Sequence, residues 1–299
     1  MISGNVPLHL VSTAKAGFLT TALKATPDYA PIAKLIDLSE KNQTLVDLGA
    51  APMPTRTKSG PPSASDFIEK TLPITSLDWH IKVPISGNAV KDDQTGSLLG
   101  RVRAAGSNFQ RHISQQAFKT LNDGDNTALS GIGYDGNALF ANDHADKGAF
   151  YTTAQDNLDA NALSLANFQT TYIKASLTRD DQGNFTQYGY DLLVVPPNLE
   201  TLAWQITNVR GGTEAITNAN PYAGSIKYIV SPMLDSTAWV LVASNETIKP
   251  ILVVMREQPF LDDAWKDPDG DDGGTYWFLF RGRYSFYVGA WQTAYLGNS

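Results

Sequence analysis

The stretch TGSLLGRVRAAGSNFQRHISQQAFKTLN, Thr95 to Asn122, decides how the rest of the chain is read. Its apolar residues Leu98, Val102, Ala105, Phe109, Ile113, Ala117 and Leu121 recur every three or four positions. That is the stripe of an amphipathic helix, which leaves Arg101, Arg103, Arg111 and Lys119 for solvent. Asn122-Asp123-Gly124-Asp125-Asn126 then supplies cap and turn residues that stop it. At a rise of about 1.5 Å per residue the helix is roughly 40 Å long. Gly100 and Gly106 lie inside it, each costing up to about 1 kcal/mol against Ala, so tertiary packing must hold it. One long helix, with extended segments before it and mixed α/β structure after it, is an unusual plan for an enzyme.

The totals narrow the field further. The chain has 299 residues, 42% of them hydrophobic and only 18% charged, with 24 Gly and 16 Pro. This composition can build one large core or two ordinary ones, which excludes global disorder. A net charge of -7 and a pI near 5.0 argue against binding nucleic acid through bulk charge, although a local basic face stays open. With no cysteine, disulfide scaffolds, thiolate metal sites and Cys nucleophiles are ruled out. No apolar run approaches the roughly 20 residues of a membrane helix. The start, MISGNVPLHLVSTAKAG, has no basic region before its short apolar part and does not read as a signal peptide.

Ahead of the long helix, residues 1 to 12 read as irregular. Thr13 is placed to cap a helix reaching Leu23 or Lys24, with Phe18, Leu19 and Leu23 on its apolar face. Pro27 and Pro31 break it, and Ile32, Leu35, Ile36 and Leu38 form a further short turn or strand. Thr44 to Leu48 reads as a strand. Ala50 to Ser65 carries four prolines and no periodicity, which makes it a loop tip. Leu72 to Ile85, with Leu72, Ile74, Trp79, Ile81, Val83 and Ile85 in period two, reads as the returning strand. Thr44 to Ile85 is thus expected to be a long two-stranded ribbon. Such a ribbon is marginal alone in water and needs a surface to lie on.

After the long helix, helices are expected at Ala160 to Ser176 and Asn198 to Ile206. Strands are expected at Tyr190–Val195, Ile226–Val230, Trp239–Ala243, Ile251–Val254, Trp277–Phe280 and Tyr284–Val288. No internal repeat is present.

Motifs that carry chemistry are weak. Gly131-Ile132-Gly133-Tyr134-Asp135-Gly136 has the spacing G-x-G-x-x-G, but no apolar strand precedes it and no helix opens at it, so a plain turn is expected. Asp143, His144 and Asp146 have metal-ligating side chains, yet no second histidine is near in sequence, and a loop histidine held by hydrogen bonds is the better reading. Asp267, Asp269 and Asp271 have the look of a Ca²⁺ loop, but the EF-hand positions for Gly and Glu hold Asp272 and Phe278, which favours a solvated acidic turn. His112, beside Ile113, is expected to serve packing or hydrogen bonding. G-x-S-x-G, P-loop and H-E-x-x-H motifs are absent. No cofactor, metal or catalytic residue is expected.

The last sixty residues carry a family resemblance. Trp239, Lys249-Pro250, Arg256 ahead of the acidic loop, and the closing Gly289, Trp291, Gln292, Ala294 and Tyr295 resemble the C-terminal part of Mu-like phage major head proteins, the gpT family. Tyr134-Asp135-Gly136 through Phe140 to Asp143-His144 resembles that family's loop after the long helix, and Asp92-Asp93 fits the approach to it. The resemblance implies an α+β, HK97-like capsid fold. It assigns residues 1–40 to an N-terminal arm, 41–90 to an extended E-loop, 91–154 to the first part of a P-domain with the spine helix, 155–240 to an A-domain, and 241–299 to the closing strands of the P-domain.

The function implied is that of a non-enzymatic major capsid protein, assembled in the bacterial host cytoplasm and carried in the virion. Pentamers and hexamers would close into an icosahedral shell around double-stranded DNA, bound without sequence specificity. Portal, scaffold or decoration proteins would be further partners, and no membrane is involved. Expected contacts between copies are Phe18 and Leu19 in the arm, and Met53, Phe67, Trp79 and Ile81 on the ribbon. Arg101, Arg103, Arg111 and Lys119 are expected to face the lumen. Lys58 and Lys70 lie in the expected E-loop, but no motif supports a covalent cross-link there. Two rivals stand beside this reading: an encapsulin-like compartment with the same fold and a different cargo, and an extracytoplasmic β-rich hydrolase or glycan-binding protein suggested by the 10% aromatic content.

Overall fold

The computed structural model describes residues 8–22, 27–47, 49–51, 69–92, 97–144, 153–209, 220–267 and 274–298. In chain order these form α1 (Leu8–Ala22), β1 (Ala33–Asp37), β2 (Asn42–Asp47), β3 (Lys70–Thr75), β4 (Leu77–Ser86), α2 (Gly87–Asp92) and α3 (Ser97–Asn122). There follow α4 (Thr127–Ser130), β5 (Leu158–Asp159), α5 (Leu165–Ser176), β6 (Leu192–Val195), α6 (Glu200–Asn208) and β7 (Lys227–Val230). The chain closes with β8 (Trp239–Val242), β9 (Ile251–Asp267), β10 (Thr275–Val288) and β11 (Ala294–Gly297).

The long helix forms where its spacing puts it. Val102, Ala105, Phe109, Ile113, Ala117 and Leu121 are all buried along α3. A 3-10 turn at Asp123–Asp125 ends it, and Asn126 caps α4 by accepting the Ala128 N–H at 3.0 Å. The stripe lies across the first sheet, whose strand order is β1-β9-β10-β4. Between helix and sheet sits α1. Phe18 stacks on Phe280 (centroids 4.3 Å, 12°) and meets Phe109 edge-on at 6.0 Å. The α1 helix begins at Leu8 rather than Thr13, because its buried stripe (Val11, Ala14, Phe18) starts before that threonine.

The second sheet runs β5-β11-β8-β6-β7. Its central strands are buried on both sides, which explains their continuous apolar runs. Leu192, Val194, Val240, Val242 and Leu296 extend the core of the first sheet, while Phe168, Leu193, Trp239, Leu241 and Tyr295 form a separate core with α5 and α6.

Three strand expectations change. Leu72 to Ile85 is two strands, not one. Antiparallel β2–β3 pairing ends at Asn42↔Thr75, and after buried Ser76 the chain turns to pair β4 with β10 along Leu77↔Tyr284 to Ser86↔Thr275. The ribbon is therefore shorter than expected. Its root is covered within the subunit, where Leu72 and Ile74 pack with Leu38, Leu252 and Val254 on the reverse face of the first sheet. Ile251–Val254 is the start of a strand reaching Asp267, and the two segments within Trp277–Val288 are one strand. Each long strand supplies the other's ladder, with register shifts around Gly282 where Pro259 has no N–H to give. Finally, the expected domain division at residue 240 falls inside β8, and β11 returns to the second sheet.

Candidate functional site

Chain connectivity makes the two sheets meet at one joint. The chain crosses from the first sheet to the second between α4 and β5, returns between β8 and β9, and crosses again between β10 and β11. The motif residues of all three crossings converge there.

Gly289 sits against the β8–β9 crossing. A Cβ at this position would lie 2.3 Å from the Lys249 carbonyl oxygen, so no larger residue fits. The close approach is held by Gly289 N–H donating to Pro250 O at 2.7 Å and Ala290 N–H donating to Lys249 O at 3.1 Å. Lys249 turns its ammonium to the Ser244 carbonyl, and burial pulls its pKa down against the opposing pull of Asp191 and Glu246. Gly297, one strand further, is required in the same way, since a Cβ would strike the Trp239 ring at 2.1 Å. That ring is fully buried and donates Nε1–H to Asn161 O at 3.0 Å.

The closing turn Trp291–Thr293 is fixed from both sides. Tyr190 donates to Gln292 O at 2.5 Å, and the Tyr295 hydroxyl meets Thr178 Oγ1. Burial pushes Tyr295 up to about 12 even though the Thr178 contact opposes it. On the other side Trp291 stacks on His144, centroids 4.2 Å apart and planes 4° from parallel. His144 Nδ1 lies 2.6 Å from Asp135 Oδ2 and Nε2 3.0 Å from Asn157 Oδ1. Asn157, fully buried, donates Nδ2 to Leu139 O (2.8 Å), Ala294 O (3.0 Å) and Trp291 O (3.2 Å). A cleft of about 350 Å³ opens beside the joint, with Lys34, Lys70, Tyr134, Asp181 and Trp291 among its lining residues.

The sequence motifs thus meet in space for structural reasons. Gly131 and Gly136 both have φ of 84°, the left-handed region a turn demands, and the G-x-G-x-x-G spacing is a turn. His144 is the hydrogen-bonded loop histidine. Asp143 is exposed, and Asp146 lies outside the described residues, as do Asp269, Asp271 and Asp272 of the acidic turn. Among the described residues no group of three or more His, Asp or Glu is placed to hold a metal. Asn157 carries no signal in the sequence, where it reads as one more polar residue of a loop.

The expected contact residues divide. Phe18 is fully buried in its own subunit, so it is a core residue and not a surface offered to a neighbour. Trp79 and Ile81 belong to β4 rather than the ribbon and pack on the same core. Trp79 donates Nε1–H to Tyr284 O at 2.9 Å and lies 4.5 Å from the His112 ring, whose Nδ1 contacts the Tyr284 hydroxyl at 2.9 Å. Met53, Phe67 and the Leu19 side chain lie outside the described residues, as does Lys58. Arg101, Arg103, Arg111 and Lys119 are all exposed on α3. Helical periodicity puts Arg101 and Lys119 on one face and Arg103 roughly 160° away, so the four do not form one stripe.

Solved shell proteins share this architecture. The chain matches the procapsid of bacteriophage JBD30 (17% identity, 98% of this chain and 76% of that one, TM-score 0.58). It also matches the capsid of an empty GTA particle (11%, 92% and 90%, TM-score 0.58). A third match is the virus-like particle from Pyrococcus furiosus (10%, 96% and 98%, TM-score 0.53). The class is the HK97-like capsid fold. The phage capsid protein family matches residues 69–296, and the chain belongs to that family. No curated protein matches the chain. It is a structural protein of the virion, not an enzyme.

Proposed function

We propose that this chain is the major head protein of a tailed, Mu-like bacteriophage, and that copies of it self-assemble into pentamers and hexamers of an icosahedral shell around double-stranded DNA. The family match over residues 69–296 is the observation that carries this reading. The shape of the subunit supports it. Large apolar side chains remain uncovered on the helices of the second sheet, with Ile173 and Leu177 each 58% exposed and Trp204 50% exposed. Covering such area on sister subunits contributes roughly 25 cal/mol per Å². Rotationally related copies meeting head to tail close into rings, as a shell requires. Residues 1–40 then act as the arm, 41–75 with its tip as the E-loop, and Leu19, Met53 and Phe67 remain candidate contacts with neighbours. Assembly takes place in the host cytoplasm, with portal, scaffold or decoration proteins as further partners. Some of Arg101, Arg103, Arg111 and Lys119 face the packaged DNA.

Electron microscopy of the purified recombinant chain tests the reading. Closed shells with five-fold and six-fold units are expected, running as a single monomer band after boiling in detergent. A stable monomer at shell-forming concentration overturns it. An encapsulin-like compartment is separated by cargo, since particles from infected cells would hold protein and no nuclease-protected DNA.

A further inference from the structure

One carboxylate holds both strands of the ribbon. Asp181 Oδ1 accepts the Ala50 N–H at 3.0 Å, just past the end of β2, and Oδ2 lies 3.7 Å from Nζ of Lys70, the first residue of β3. Asp181 sits in the turn after α5, where Arg179 and Phe185 form a bridge. That turn is stiffened by its own bonds. Asp180 Oδ1 accepts the Gln182 and Asn184 N–H groups at 3.0 and 2.8 Å, and Arg179 Nη1 donates to Gly183 O at 2.6 Å. At its other end the ribbon is tied to the first sheet. The Thr75 N–H donates to the Tyr287 hydroxyl at 2.7 Å, and Ser285 Oγ donates to Thr75 O at 2.8 Å. Between the two ends the ribbon borders the cleft beside the joint, which Leu45 and Val46 line together with Tyr134 and Trp291.

The two attachments share a defect. Among the described residues three buried side-chain atoms have no hydrogen-bond partner, and two of them, Ser76 Oγ and Asp181 Oδ2, sit at the two ends of the ribbon. The Asp181 side chain is 3% exposed, so Oδ2 is withdrawn from water and faces an ammonium beyond hydrogen-bond distance. A buried acceptor left unpaired keeps most of its desolvation cost. The position of the ribbon is thereby weakened at both points that hold it.

We propose that Asp181 is a releasable latch, and that the ribbon is a strap that lifts about the Thr75–Ser76 corner when the latch lets go, opening the cleft beside the joint. Both strands come free together, because one carboxylate serves both. The ladder from Asn42↔Thr75 to Asp47↔Lys70 stays intact and moves as a unit. Asp181 Oδ2 and Ser76 Oγ gain access to water on lifting, which offsets part of what the broken contacts cost. Leu72, 3% exposed when the ribbon is down, loses its cover. The latch consists of contacts inside one subunit. Only its use rests on the shell reading, in which a lifted ribbon meets a neighbouring copy at a different angle from a latched one.

The chain has no cysteine, so a single introduced thiol reports alone. Leu72→Cys places it under the ribbon, and Leu193→Cys places a control in the core of the second sheet, where Leu193 is fully buried. The rate of reaction with a maleimide is measured on the full chain kept dilute, as unassembled subunits. With Asp181 intact, the thiol at position 72 should react faster than the one at 193, the mark of a local opening. Adding Asp181→Asn should speed position 72 about tenfold, the effect of weakening a charge-assisted hydrogen bond together with an ion pair, and leave position 193 unchanged. Should that variant not fold, Lys70→Gln keeps the Ala50 bond and should speed position 72 about threefold. Equal rates at the two positions with Asp181 intact overturn the proposal. So does a rate at position 72 that ignores the added substitution, or a rise shared equally by both thiols. Electron microscopy decides the shell and thiol reactivity the latch, so the two readings fail separately.

Discussion

The joint and the ribbon are built on opposite principles. At the joint, three chain crossings are fixed by backbone contacts too close for any side chain and by a polar cluster in which every described partner is satisfied inside the subunit. The ribbon packs at its root, where Leu72 and Ile74 are buried and Tyr287 and Ser285 bind Thr75 O at 2.9 and 2.8 Å, and is held at its outer end by polar contacts to Asp181, from Ala50 N–H at 3.0 Å and Lys70 Nζ at 3.7 Å. Strand β2 above that root is mostly exposed, with Val46 at 53%. The difference separates two duties. The joint specifies the subunit, and contact with neighbouring copies is the proposed duty of the exposed β2 strand.

Gly289→Ala should break this contrast hardest from the side of the joint. The new methyl meets a backbone carbonyl, which cannot rotate away as a flexible side chain would. A loss of about 3 kcal/mol or more is expected, read as a lowered midpoint in denaturant unfolding. A midpoint equal to wild type would mean the joint gives more easily than its geometry says.

Ile74→Ala probes the covered root. A side chain 1% exposed leaves a cavity when shortened, and a loss of about 2–4 kcal/mol is expected in the same unfolding measurement. The smallest effect on the subunit should come from deleting Ala51 to Ser65. Asp47 and Lys70 pair in register, so the strands stay joined after the excision. A soluble subunit within about 0.5 kcal/mol of wild type that forms few shells by electron microscopy is expected. Normal shells from the deletion would show that the tip has no part in assembly.

Much of the fold was legible in the residues. The α3 stripe, the apolar runs of β6 and β8, and the turn at Gly131–Gly136 all rest on local spacing and composition. The family motifs also pointed at the right residues without saying why they belong together. Gly289 and Lys249-Pro250 read as two separate pieces of similarity until the structure showed one packed against the other. Phe18 misled, since a large apolar residue in a proline-broken segment looks the same whether its cover is a neighbour or its own core.

The sequence by itself determined where the helix stripe runs and which segments are strands, because side-chain periodicity is set by the backbone geometry of a single element. Only the tertiary structure decided that β4 leaves the ribbon at Ser76, that β9 and β10 continue past their apolar starts, and that Asp135, His144, Asn157 and Trp291 form one cluster. These features depend on partners distant in the chain, such as Leu77 with Tyr284 and His144 with Trp291, and no local pattern encodes a contact whose other half lies across the fold.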